Sequence, residues 1–295
     1  MNLLSTSKQL TTLLKLELIV FSLPWSISAV ILAYWYNPVA FQEHFFSKCM
    51  SIILALVFGR ALGMGLNRLI DASIDGANPR TKHRLMPCKK VSRQVVYLFC
   101  ILCIGVLLIA CYAINNAILQ ALPLVLGLLY VYSYLKRQTV ACHFVLGFIL
   151  ALVPLLSWMA FSESISISII SLSVANFAII ASSDIIYSFS DYQFDKSYHL
   201  YSLPARYGKV KALYIAGCLH VLFLLSLVFL VFLLKSFFIL LAMVLSCLCI
   251  SYFYYLLYKK PVESWASISF SLNKNIAGLV LLSFLGEWMY PLWVE

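Results

Sequence analysis

All five aspartates of this 295-residue chain fall in two short segments. In the first, Gly65-Leu66-Asn67-Arg68-Leu69-Ile70-Asp71-Ala72-Ser73-Ile74-Asp75, the residues Asn67, Asp71 and Asp75 are four apart. On a helix turning about 100° per residue, all three project from one face over two turns. In the second, Asp184, Asp191 and Asp195 are spaced seven and four, which again returns to one stripe. Carboxylates stacked in this way repel one another, so each set calls for a compensating cation. A divalent metal is the simplest. An all-oxygen set of Asp and Asn side chains suits Mg²⁺, which keeps several waters and is commonly completed by substrate phosphates. Two facing sites of this kind would clamp a diphosphate.

Basic side chains lie beside these acids. Arg68 adjoins the first acidic face, and Arg80, Thr81 and Arg84 follow it. Lys136 and Arg137 lie at a later chain turn, and Arg206 comes after the second acidic set. Arg binds phosphate oxygens as a fork and Lys as a point charge.

The elements that must position these residues are membrane helices. Hydrophobic residues make up 63% of the chain and charged residues 11%, with a mean hydropathy of +0.96. That excludes a water-soluble globular domain, whose surface needs more charge than this. Apolar runs near 16–36, 50–66, 95–114, 118–135, 140–161, 165–190, 212–234, 237–258 and 266–286 predict nine spans within one polytopic domain, 1–295. Between them the connections alternate in charge. Those after the even-numbered spans, together with the amino-terminal stretch, hold 17 of the 21 Lys and Arg residues. The positive-inside rule therefore puts the amino terminus and both acidic sets on the cytoplasmic side and the carboxyl terminus outside. No small-x-small cleavage pattern follows Lys8 and Lys15, so the first span is expected to remain as an anchor.

The net charge of +10 is spent on this asymmetry, and no sequence feature calls for nucleic acid or an obligate protein partner. Lys89, Lys90, Lys209, Lys211, Lys259 and Lys260 need no other account. Nine cysteines without metal spacing read as reduced packing residues. Glu17, at the start of the first span, is a membrane-edge acid whose placement the helix macrodipole explains. Tyr130, Tyr134 and Tyr187 could face a cation, or simply pack. Lys274 is an intramembrane cation to which the sequence assigns no role.

These residues resemble a known family. Asn67-Arg68-x-x-Asp71-x-x-x-Asp75 with Arg80-Thr81-x-x-Arg84 is similar to the first signature of the UbiA superfamily of intramembrane aromatic prenyltransferases, and Asp191-x-x-x-Asp195 to the second. Tyr132-Ser133-Tyr134-Leu135-Lys136-Arg137 and Ser202-Leu203-Pro204-Ala205-Arg206-Tyr207-Gly208 also resemble stretches of that family. The resemblance implies an all-α integral membrane protein, with about nine transmembrane helices around a central cavity open to the cytoplasmic side and the lipid. The implied activity is Mg²⁺-dependent transfer of a polyprenyl group from an allylic polyprenyl diphosphate to an aromatic acid in quinone biosynthesis, at a bacterial inner membrane.

On that resemblance Asn67, Asp71 and Asp75 would hold one Mg²⁺, Asp191 and Asp195 the other, and Lys136 would contact the diphosphate. Arg68, Arg84 and Arg206 are candidates for diphosphate or acceptor carboxylate, and Tyr187 and Glu17 for the substrates. Asn67-Arg68-Leu69-Ile70-Asp71 is most similar to the branch that makes menaquinone by the futalosine route, with a dihydroxynaphthoate acceptor. The 4-hydroxybenzoate enzymes of ubiquinone synthesis usually carry Asp where this chain has Arg68. Two other classes fit the acids less closely. A secondary ion-coupled transporter would place them near the midplane of inverted repeats, and a terpene cyclase or prenyl-chain synthase would share the paired signatures.

Overall fold

The structure, a computed structural model, describes residues 16–41 and 44–290, apart from the side chains of residues 16–18. Every regular element among them is helical. A 3-10 turn, Leu16–Phe21, leads into α1 (Leu23–Tyr36), and a second, Pro38–Phe41, precedes α2 (Phe45–Ile70) and the short α3 (Ala72–Ala77). Next come α4 (Arg93–Ile114), α5 (Asn116–Leu135), α6 (Cys142–Met159) and α7 (Ile167–Ser188). A 3-10 turn at Phe189–Asp191 passes into the short α8 (Tyr192–Ser197), followed by the five-residue α9 (Leu203–Tyr207). Three long helices complete the order: α10 (Lys209–Leu234), α11 (Phe237–Lys259) and α12 (Trp265–Met289).

Nine stretches among the described residues are long and apolar enough to cross a membrane, in the places the hydropathy pattern predicts. Lipid offers the backbone no hydrogen-bond partners, so a crossing chain must satisfy its own, and only a helix does so within one segment. Two boundaries differ from expectation. The second span runs over Phe45–Ile70 instead of 50–66, because backbone bonding continues past the apolar run through Lys48, Asn67 and Arg68. The sixth is not a uniform helix to residue 190. Ser188 Oγ donates to Ile185 O at 2.7 Å and Ser190 Oγ to Tyr187 O at 2.8 Å. Such side-chain bonds compete with the α-helical ladder, and here the chain tightens to 3-10.

By contact density the chain falls into two compact units. One contains α2 to α5 and the other α1 and α6 to α12. In the first, α2 lies along α4 and α5. Glycine is required where α2 meets α4: a Cβ on Gly65 would stand 2.9 Å from Cys100 Sγ. Small residues at such crossings let helix backbones approach closely where lipid supplies no hydrophobic drive between helices.

In the second unit α7 is the central helix, packed on α6, α10 and α12, and its Leu172, Ala175, Ile179 and Ile186 are fully buried. Polar side chains fasten its neighbours to it. Asn176 Nδ2 donates to Leu150 O at 2.7 Å, Ser171 Oγ to Ser226 O at 2.9 Å and Ser269 Oγ to Ser183 O at 3.2 Å. Ser182, His220 and Tyr254 form a chain with links of 3.1 and 2.9 Å. Large apolar side chains such as Leu225 and Phe232 of α10 are left exposed, which suits a surface whose solvent is hydrocarbon. All nine cysteines are free thiols.

Candidate active site

The first acidic set forms where α2 ends. Asp71 terminates that helix with φ −88° and ψ 6°, and α3 begins at the next residue. The i to i−4 pattern survives the break. Asp71 N–H donates to Asn67 O at 2.9 Å and Asp75 N–H to Asp71 O at 2.7 Å, so the four-residue register predicted for Asn67, Asp71 and Asp75 is retained. Asn67 Nδ2 donates to Asp71 Oδ2 at 2.8 Å, which sets an amide and a carboxylate side by side.

Asp75 has a different setting. It is buried, at 6% exposure. Arg84 Nη1 lies 2.7 and 2.8 Å from its two carboxylate oxygens, and Arg68 Nη1 is 3.3 Å from Oδ2. Thr81 Oγ1 donates to the Asp75 carbonyl at 3.0 Å, tying the Asn78–Arg84 loop to the same point. Two of the three arginines expected to meet a diphosphate or the acceptor's carboxylate, Arg68 and Arg84, thus converge on an aspartate, while Arg80 stands exposed.

The second acidic set lies within the other unit. Asp191 ends the 3-10 turn and Asp195 sits in α8; both are buried, Asp195 completely. Lys136 Nζ is 2.9 Å from Asp195 Oδ1. Burial works against the Lys136 ammonium, but the charge and hydrogen bond of Asp195, with Asp191 adding to them, outweigh it and hold the amine above the ordinary lysine range. Main-chain bonds keep the pair in place. Leu200 N–H donates to Asp195 O and Tyr201 N–H to Lys136 O, each at 2.8 Å. Arg206 is exposed on α9, its guanidinium 4.8 Å from the centre of the Tyr201 ring.

Among the other predicted residues, Tyr187 packs edge-on against Phe270 at 5.6 Å, and Tyr130 and Tyr134 pack on each other at 5.3 Å. Glu17 lies in the turn Leu16–Phe21 with its side chain outside the described residues. Sequence reasoning missed His143, at the start of α6. Its Nδ1 is 2.7 Å from Asp184 Oδ2, and its Nε2 accepts the Leu203 N–H at 3.2 Å. No local spacing pointed to this, since its partners are 41 and 60 residues away.

No three His, Cys, Asp or Glu side chains among the described residues gather on one point. Mg²⁺ does not require that. It is commonly held through one or two carboxylates, the remaining positions going to water and substrate phosphate. The hard-oxygen pairs Asn67 with Asp71, and Asp191 with Asp195, therefore fit it as donors.

The fold and these two acidic sets define a multi-pass helical membrane protein with polar chemistry at helix ends. Residues 25–275 match the UbiA prenyltransferase family profile, and the chain belongs to that family. Over 172 residues it is 30% identical to a 4-hydroxybenzoate octaprenyltransferase from Blochmanniella floridana, a match covering 58% of the chain and 60% of that relative. Less than two thirds of the relative's length is thus spanned. Among solved structures, the apo form of a UbiA homolog from Aeropyrum pernix K1 superposes with a TM-score of 0.80 at 24% identity, covering 92% of this chain and 98% of that one. A digeranylgeranylglyceryl phosphate synthase gives 0.70 at 26%, over 95% and 97%. A UbiA homolog from Archaeoglobus fulgidus, solved with GPP and Mg²⁺, gives 0.73 at 19%, over 94% and 98%.

Proposed function

We propose that this chain catalyses Mg²⁺-dependent transfer of a polyprenyl group from an allylic diphosphate to the ring of an aromatic acid, in the synthesis of a membrane quinone. The observation that carries the reading is the pairing of each buried acidic set with its own cation, Asp75 with Arg68 and Arg84 and Asp195 with Lys136. Buried carboxylates held beside fixed positive charges are oxygen donors that a metal diphosphate would meet in a poorly hydrated place. Family membership and the name of the Blochmanniella floridana relative point the same way.

Asn67 and Asp71 would hold one Mg²⁺ and Asp191 with Asp195 another; Asp75 joins the first by exchanging a guanidinium contact for the metal. Bound there, the metal neutralises charge that builds on the departing diphosphate. Lys136 holds a fixed positive charge beside the second set for the same purpose. Arg84 and Arg206 are the contacts for phosphate or for the acceptor's carboxylate. The apolar helices keep water from the allylic carbon while the activated ring attacks it. In this reading the site faces the cytoplasm, which the distribution of Lys and Arg supports, and the membrane is a bacterial inner membrane, which the family resemblance supports.

The favoured acceptor is a dihydroxynaphthoate, on the strength of Arg68 and the segment around it. 4-Hydroxybenzoate is the second reading, favoured by the relative's name. Purified protein given Mg²⁺, a long-chain prenyl diphosphate and each acceptor in turn, with products read by mass spectrometry, separates the two. Absence of product with either acceptor, or product formation indifferent to both Asp71→Ala and Asp191→Ala, overturns the proposal.

A further inference from the structure

His143 and Asp184 lie outside the roles assigned above, yet their arrangement is specific. A carboxylate near the end of an apolar membrane helix is costly and marks a functional position by default. Asp184 lies in the last turns of α7, seven residues before Asp191 and just ahead of the 3-10 turn that carries it. His143 is 3% exposed, and the Asp184 side chain 23%.

The ring's hydrogen bonds fix its tautomer. A backbone N–H can only donate, so Nε2, which meets the Leu203 N–H at 3.2 Å, carries no proton. A neutral imidazole then has its proton on Nδ1 and donates it to Asp184 Oδ2 at 2.7 Å. Both bonds do structural work. Leu203 begins α9, and Ser202 before it makes no side-chain cap. The first N–H of a helix has no partner within the helix, and here an imidazole from α6 supplies one. Two residues upstream, the Tyr201 N–H is bonded to the Lys136 carbonyl. One ring therefore orients Asp184 through one nitrogen and, through the other, anchors the segment that holds Lys136 beside Asp195.

We infer that His143 is a positioning residue for the proposed prenyl transfer, with separable duties on its two nitrogens: Nδ1 aims Asp184 and Nε2 secures the segment that sets Lys136 and Arg206. The inference rests on the prenyl-transfer reading for its kinetic consequences only.

Three substitutions dissect the ring. An asparagine amide can stand in for Nδ1–H, a glutamine carbonyl for Nε2, and phenylalanine for neither. His143→Gln, which keeps the Nε2 acceptor and so the segment that sets Lys136, should leave kcat within about twofold of wild type and raise KM for the prenyl diphosphate about tenfold. His143→Asn, which frees that segment, should do the reverse, lowering kcat about tenfold or more with that KM little changed; these sizes are those of residues that orient a ligand from behind. His143→Phe should lose on both counts. Equal losses of kcat and KM in all three, in proportion to lowered melting temperature, would mean that the ring merely packs, and the inference would fall while prenyl transfer stood. If the wild type transferred no prenyl group, the function would fall instead. The inference would then be judged by ¹⁵N NMR of histidine-labelled protein and by the melting-temperature rise with Mg²⁺ and inorganic pyrophosphate. A His143 proton on Nε2, or an equal rise in the Asn and Gln variants, overturns it.

Discussion

Lys136 Nζ stands 2.9 Å from Asp195 Oδ1, and Asp195 has no exposure at all. A carboxylate so enclosed needs its partner. Removing one member of a buried pair leaves an uncompensated charge, which costs about 3 kcal/mol or more. Lys136→Ala should therefore lower the melting temperature as well as abolish most turnover. The double change Lys136→Met with Asp195→Asn should recover stability without recovering activity, a separation that thermal denaturation and a product assay measure together.

The same pair sets a pH expectation. With the folded pKa of Lys136 raised, the pair's stabilisation is fully present below the unfolded lysine value of about 10.4 and fades only as pH climbs through the higher folded value. Melting temperature from pH 7 to 9.5 should thus be no more sensitive to pH in the wild type than in the double variant. A wild-type decline confined to that range would contradict the arrangement.

Asp71 and Asp75 are predicted to differ although both belong to one signature. Asp75→Ala strips Arg68 and Arg84 of their shared carboxylate and, since Arg68 is itself buried, should destabilise the protein by about 3 kcal/mol. Asp71→Ala, at a less buried position, loses the Asn67 hydrogen bond, worth about 1 kcal/mol, among its contacts, and should cost less stability than Asp75→Ala while leaving the protein catalytically dead.

Chelation offers a third check. Removing Mg²⁺ with EDTA should stop turnover, and adding it back should restore it. Mg²⁺ with pyrophosphate at about a hundred times its dissociation constant should stabilise the wild type by about 2.7 kcal/mol. Neither Asp71→Ala nor Asp191→Ala should show the full rise.

Packing in the second unit supplies a prediction independent of chemistry. A Cβ at Gly147 would stand 2.8 Å from the Phe177 carbonyl and 3.0 Å from Ala181 Cβ, so α6 could not keep its distance from α7. Gly147→Val should cost about 1–3 kcal/mol, readable as a lowered melting temperature with KM unchanged in whatever fraction stays folded.

Much of this was legible in the sequence, for physical reasons. Spans are written in apolar run lengths because lipid leaves the backbone no choice, and the register of Asn67, Asp71 and Asp75 is fixed by helix period even across the break at Asp71. What the sequence concealed is which cation answers which acid. Lys136 could be tied to Asp195 only through the fold, since 59 residues separate them, and Arg84 was legible as a phosphate contact but not as the partner of Asp75. His143 left no trace in local spacing because its place depends on how α6 is rotated against α7. The 3-10 turn before Asp191 was signalled only by Ser188 and Ser190, whose hydroxyls are read as easily as packing.

Surface loops ordinarily accept insertions at little cost. The stretch from Leu200 to Leu203 should refuse them, because three of its four amides are committed to acceptors outside it, one nearby on Asp195 and two distant in sequence, on Lys136 and His143. A single extra residue would shift every later amide past its acceptor. This piece of chain, without regular structure until α9 begins, is in effect a ruler whose length is set by the distance between an acid and its base.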